Sequence, residues 1–276
     1  MARFVVAVSG GVDSVALLDM MARRGQDDII VAHVDHGIRP ESFDDARFVE
    51  ALARTYRVLF ESIRYELGPG ASEDVARRAR YDFLRRLAQK YQATIVTAHH
   101  ADDVVESVAI HLLRGTGWRG LATHDSDITR PLLGIDKDRL IAYATRRKLA
   151  WREDASNQSD VYLRNRIRRH VAKLPKERKD EVLALRRRQL AYKKAIDEEV
   201  RAVIGKGPEY SRYFFTHIPS SVAQECLRTI TEARLTRPQR DRLLHAIKTA
   251  APGTRFEAGS GVTAQFTTRQ FSVALL

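Results

Sequence analysis

The segment Phe4-Val5-Val6-Ala7-Val8-Ser9-Gly10-Gly11-Val12-Asp13-Ser14 constrains the fold more than any other part of the chain. Its five apolar residues, mostly β-branched and without polar alternation, predict a strand buried on both faces. From Val15 to Arg24 the residues Val15, Leu18 and Met21 recur at helical spacing, with Ser14 at the cap position. The turn between strand and helix holds two adjacent glycines, which let bare backbone N–H groups approach a ligand. Those groups, the positive end of the helix and the hydroxyls of Ser9 and Ser14 form a site for phosphate. Asp13 repels phosphate unless a cation or a backbone donor compensates it, so it points to Mg²⁺ or to a role in bracing the loop. The G-x-x-x-x-G-K-[ST] spacing of the common P-loop is missing, and so is its lysine.

The alternation continues downstream. Ile29–Val34, Val58–Ile63 and Ala93–Ala98 read as further strands, with helices over Glu41–Tyr56 and Ser72–Tyr91 and an amphipathic helix that follows His99–Asp103 and runs to Arg114. This order predicts an α/β fold with a doubly wound parallel sheet, whose ligands bind at the carboxyl ends of the strands. The SGG turn, the His33–Arg39 segment and the His99–Glu106 segment all start at such ends, so they are expected to converge on one cleft. Gly115–Gly120 is glycine-rich and is expected to be a mobile loop over that cleft. Lys137–Arg147 reads as a helix, and Trp151–Asn157 is rich in turn residues. Gly205-Lys206-Gly207-Pro208 reads as a boundary, followed by two helical patterns and three short strands, a small α+β tail. The expected domains are therefore 1–175, a catalytic domain; 176–205, a basic helical linker; and 206–276, a small C-terminal domain contacting nucleic acid.

Charge narrows the function. The chain of 276 residues carries a formal net charge of +12, which favours a polyanionic partner. From Arg164 to Arg201 there are 14 Lys/Arg against 6 Asp/Glu, so the excess is concentrated in one mostly helical segment broken at Pro175. Such a segment suits phosphate tracking along RNA, although a solvated ion-paired helix has a similar composition. The single cysteine, Cys226, excludes a disulfide framework and cysteine-rich metal sites. No apolar run approaches a membrane span of about 20 residues. The first strand begins by Phe4, leaving no room for a signal peptide, so a cytoplasmic protein is expected.

Asp102, Asp103 and Glu106 fall within one turn at the start of the fourth helix. Acids there offset the helix dipole. Three of them beside His99 and His100 exceed what capping requires, and suit a metal ion or an ammonium group. The adjacent histidines point apart, which argues against zinc. On the third helix Arg77, Arg80 and Leu84 share one side, so that an arginine facing the cleft can pair with phosphate.

The SGGVDS loop resembles that of the N-type ATP pyrophosphatase family, whose members adenylate an oxygen with ATP and release pyrophosphate. Further blocks single out one branch: HVDHGIRP, ARRARYDFL, TAHHADDVVES, RGTGWRGL, RPLL, and EDASN followed by LRNRIRRHV. In this order they resemble the tRNA(Ile)-lysidine synthetase family over most of residues 4–175. The resemblance implies ATP-dependent joining of free L-lysine to C2 of the wobble cytidine in isoleucine tRNA with a CAU anticodon, with Mg²⁺. It also implies that Ser9, Gly10, Gly11, Val12, Asp13 and Ser14 bind ATP, and that Asp103, Glu106, Arg80 and Arg164 line the substrate cleft. A tRNA thiolation enzyme or a non-enzymatic RNA-binding protein are the alternatives. The lone cysteine argues against the first, and the second leaves the loop and the acidic cluster unused. The chain is short for the resembled family.

Overall fold

The computed structural model describes residues 2–25, 27–37, 42–68, 70–152, 163–205 and 207–276. They form two compact units, Met1–Gln189 and Leu190–Leu276. Ile38–Pro40 of the HVDHGIRP block and the whole EDASN block lie outside the described residues.

The first unit contains strands β1 (Arg3–Ala7), β2 (Asp28–Asp35), β3 (Leu59–Arg64) and β4 (Thr94–Val96). All pairings are parallel, in the order β3-β2-β1-β4. Its helices are α1 (Val12–Ala22), α2 (Ser42–Tyr56), α3 (Glu73–Tyr91), α4 (Ala101–Leu113), α5 (Lys137–Arg146), α6 (Leu163–Ala172) and the first part of α7 (Lys176–Ile204). The break between α6 and α7 falls at Pro175, where the ring removes a donor and a fixed φ ends the preceding turn. Both faces of the sheet are covered. Val5, Ile30, Ala32 and Ile95 pack on Tyr81, Leu84 and Leu87 of α3. Val6, Val31 and Val96 point the other way, onto Leu17 and Leu18 of α1, Val49 of α2 and Leu140 of α5. This two-sided burial is why β1 and β2 read as continuous apolar runs.

From β1 the chain moves outward through β2 to β3, then returns to add β4 on the other side of β1. The direction of winding reverses there, and a crevice opens between the loops that follow β1 and β4. Beyond β4, Thr129 makes an isolated parallel bridge with Val96, donating to the Ile95 carbonyl at 2.9 Å. Three helices are tied together below the crevice. The buried Asp19 of α1 accepts from the Tyr56 hydroxyl of α2 at 2.8 Å and the Tyr143 hydroxyl of α5 at 2.5 Å.

The second unit has an antiparallel sheet, ordered β5-β8-β7-β6, of β5 (Glu209–Ser211), β6 (Arg255–Gly259), β7 (Val262–Phe266) and β8 (Gln270–Leu275). Helices α8 (Arg212–His217), α9 (Ser220–Ile230) and α10 (Arg237–Thr249) and the end of α7 complete it. Phe215, Leu227, Leu243, Ile247, Phe266 and Phe271 form its core with Val200 of α7. Cys226 is buried there as a small apolar filler. The sequence reading contains neither β5 nor α8, because three and six residues are too few for a periodicity to register.

Leu140 is fully buried against α1 and the sheet. Leu140→Ala is expected to lower the unfolding free energy by about 2–5 kcal/mol, read from urea denaturation followed by circular dichroism.

Candidate active site

The loop after β1 is held by its own serines. The Ser14 hydroxyl donates to the Gly11 carbonyl at 2.9 Å and accepts from the Ser9 amide at 3.2 Å. Gly10 has φ +94°, a left-handed conformation, and a Cβ there would meet Phe48 at 3.4 Å. Outside the loop, the Arg152 amide donates to the Gly10 carbonyl at 2.9 Å, and the Arg152 guanidinium pairs with Asp45 of α2. Gly11 is the N-cap of α1 and has no side chain to satisfy the first amides of the helix. The amides of Val12, Asp13 and Ser14 are thereby left as anion donors, with the helix dipole behind them. A Cβ on Gly11 would meet only the Ser9 hydroxyl, at 3.6 Å.

The loop after β4 brings opposite charge to the same crevice. The Asp103 carboxylate accepts from the His100 amide at 2.9 Å, closing the start of α4. His100 is buried between two carboxylates, its Nε2 3.6 Å from both Asp13 Oδ2 and Asp103 Oδ2. Burial pushes its imidazole down, but Asp13 and Asp103 outweigh this and raise it above the ordinary histidine value. Burial likewise pushes the Asp13 carboxyl up, yet His100 and Lys137 together hold it below the ordinary carboxylate value. Lys137 Nζ lies 3.5 Å from Asp13 Oδ2, while Asp13 Oδ1 is buried without a hydrogen-bond partner among the described residues.

Glu106, only 2% exposed, faces two arginines of α6: Arg168 Nε at 3.0 Å and Arg164 Nε at 3.6 Å. Arg168 also reaches to 4.0 Å from Asp103 Oδ1, so one guanidinium stands between the two carboxylates. Asp102 faces the other ring nitrogen of His100, its Oδ2 3.7 Å from Nδ1. It forms a buried ion pair with Lys179 of α7 and accepts from the Lys137 amide at 2.9 Å.

A family model described as PP-loop domain matches residues 1–175. The chain belongs to this family. Membership implies ATP binding, and residues 1–175 include the SGGVDS turn. Curated relatives named tRNA(Ile)-lysidine synthase include one from Bacillus cereus, 41% identical over 196 residues that cover 64% of this chain and 41% of the relative. One from Thermus thermophilus is 43% identical over 182 residues, covering 63% of this chain and 36% of the relative. The chain thus spans about two fifths of the length of the curated relatives it matches. Among solved structures, the U34-tRNA thiolase NcsA from Methanococcus maripaludis aligns with a TM-score of 0.56 at 17% identity, covering 68% of this chain and 71% of that one, a likeness of fold.

Of the residues singled out from the sequence, those of the SGGVDS turn and Asp103, Glu106 and Arg164 share this crevice. Arg80 lies on an exposed stretch of α3, and its charge acts on His36 after β2. Arg77, one turn earlier, acts on His99 beside the α4 start. Arg168, Lys137 and Lys179 were missed. Arg168 follows Arg164 by four residues, so the two share a helical face, and that spacing was the available signal. The RGTGWRGL segment closes into a single 3₁₀ turn over Trp118–Leu121, held to α4 by His111 Nδ1 and the Gly120 carbonyl at 2.5 Å. No helix among the described residues is long and apolar enough to cross a membrane.

Two histidines behind Asp103 are kept neutral. Burial drives His99 down to about 3 and His124 to about 4, their rings 5.2 Å apart. In the unfolded chain both take up a proton near pH 6.5, so the folded state binds fewer protons below that value. Stability is therefore expected to fall as pH drops from 6.5 towards 4. His100, raised instead, contributes stability that is lost as pH rises through its folded value. In urea titrations across the acid range, His99→Asn is expected to make the acid limb shallower by about one proton.

Proposed function

We propose that the protein is a tRNA(Ile)-lysidine synthase, which joins free L-lysine to C2 of the wobble cytidine of an isoleucine tRNA with a CAU anticodon. The observation that carries this reading is the continuity of the PP-loop with the α4–α6 charge cluster, through His100 between Asp13 and Asp103. Phosphate chemistry and an amine-binding carboxylate then meet in one crevice. The names of the relatives support the choice of tRNA and lysine.

In the first half-reaction the C2 oxygen of cytosine attacks the α-phosphorus of ATP, and the bond to pyrophosphate breaks. The PP-loop amides and the hydroxyl of Ser9 hold the polyphosphate, whose developing charge they meet without reorganising. Asp13, with one buried carboxylate oxygen unpartnered, would hold Mg²⁺, which supplies positive charge to the phosphates. In the second half-reaction the lysine ε-amine attacks C2, AMP leaves, and the nitrogen gives up a proton. Free lysine has a pKa of about 10.4, so a group must orient the ammonium and accept its proton. Asp103 is suited to both. Glu106 is already occupied by Arg164 and Arg168, and its part is to hold those guanidiniums at the crevice.

The basic segment Arg164–Arg201 is proposed as part of the tRNA footprint, with 206–276 as a further contact. Arg186 does not belong to the solvated face, since its Nε donates to the Thr123 carbonyl at 2.9 Å. Arg187 and Arg188 are exposed. Reversing both to glutamate is expected to weaken tRNA binding several-fold and to reduce its salt dependence, measured by filter binding at graded ionic strength.

The decisive experiment combines ATP, Mg²⁺, radiolabelled lysine and total tRNA, and scores label in the RNA. Label is expected in the isoleucine acceptor alone. ATP–pyrophosphate exchange without any transfer of lysine would overturn the reading. Gly11→Val should leave folding and tRNA binding intact, because space around Gly11 is open, while pyrophosphate release falls by at least a hundredfold.

A further inference from the structure

The PP-loop lacks a lysine of its own, and one is delivered to it from 124 positions away. We infer that Lys137 is a polyphosphate ligand of the nucleotide site, an inference that rests on the proposed ATP-dependent function. Four observations carry it.

Lys137 Nζ lies 3.5 Å from the PP-loop carboxylate Asp13, and its side chain is 46% exposed, so the ammonium is both near the loop and open to a ligand. Its backbone is fixed. The Lys137 amide donates to Asp102 Oδ2 at 2.9 Å, and the other oxygen of that buried carboxylate is locked by Lys179. A buried ion pair thus sets where the lysine stem leaves the backbone. The residue is also the first of α5, where the positive end of the helix dipole opposes a cation. A lysine there runs against local preference, which marks a position selected for something other than helix stability. Finally, Asp13 does not depend on Lys137 alone, since His100 already stands 3.6 Å from the same oxygen.

On this inference the ammonium leaves Asp13 and turns to the phosphate oxygens when nucleotide binds. The amides and Ser9 supply directional donors, and Lys137 supplies a mobile full charge, as a lysine does at other phosphate sites. α5 is pinned to α1 through Tyr143 and Asp19, so the lysine and the loop keep a fixed separation.

The test compares the full chain with Lys137→Met and Lys137→Arg, by calorimetric binding of ATP, inorganic pyrophosphate and AMP. Circular dichroism and thermal melting check that each variant is folded. Lys137→Met is expected to bind ATP and pyrophosphate at least tenfold more weakly and AMP within about twofold of the parent, with Lys137→Arg recovering part of the loss. Equal weakening for all three ligands would overturn the inference and make Lys137 a brace for the loop. Unchanged ATP affinity in a folded Lys137→Met would overturn it as well. Failure of the functional reading looks different: the parent protein itself would bind ATP yet transfer no lysine to tRNA, leaving the comparison of variants intact.

Discussion

Two buried carboxylates within the first two turns of α4 dictate how the crevice is built. An ionised carboxylate taken out of water costs several kcal/mol unless charge and hydrogen bonds compensate it, and removing one partner of such a pair costs about 3–5 kcal/mol. Asp102 meets this demand through Lys179 and the Lys137 amide, and Glu106 through Arg168 and Arg164. These partners come from α5, α6 and α7. The two acids therefore fix which helices can stand around the carboxyl ends of the strands, and in which register. Exposed ion pairs elsewhere, such as Arg54 with Glu50, lack this leverage, being worth at most about 1 kcal/mol.

The parts legible in the sequence are those whose signal is local. β1 and its loop could be read because burial on both faces imposes a run of apolar residues and a tight turn requires glycine. The structure moves the emphasis within the pair, since Gly10 needs the left-handed backbone and Gly11 needs the open space. The acidic start of α4 was equally visible. Its partners were not, because Arg168 and Lys179 reach α4 only by tertiary approach across 62 and 77 positions. An expectation that Asp103 and Glu106 both face an incoming cation becomes more specific: a protein guanidinium already stands between them. The histidine rings behind them carry no sequence mark of being neutral; only burial decides that.

The second unit illustrates a different economy of polar groups. A single guanidinium, that of Arg212, donates to the carbonyls of Ile247, Ala250 and Thr267 at 2.8 Å each. Three acceptors at the end of α10 and beside β7 are thus satisfied by one planar fork, a geometry an ammonium cannot match. Around it the core is apolar and aromatic, with Phe215 meeting the Phe271 ring edge-on at 5.2 Å.

The borders of the parallel sheet carry one more consequence. A four-stranded sheet has two open edges, each a template for another chain's strand. On one side β3 carries Glu61, Ser62 and Arg64, and Glu61 engages Lys90 at 2.6 Å as well as the Tyr91 hydroxyl, so a docking strand would meet charged side chains. On the other, Thr129 takes up the ladder beside β4 for a single residue, and Pro131 then removes the next but one donor. Both edges of the sheet that carries the SGGVDS turn are in this way poor templates for another chain's strand.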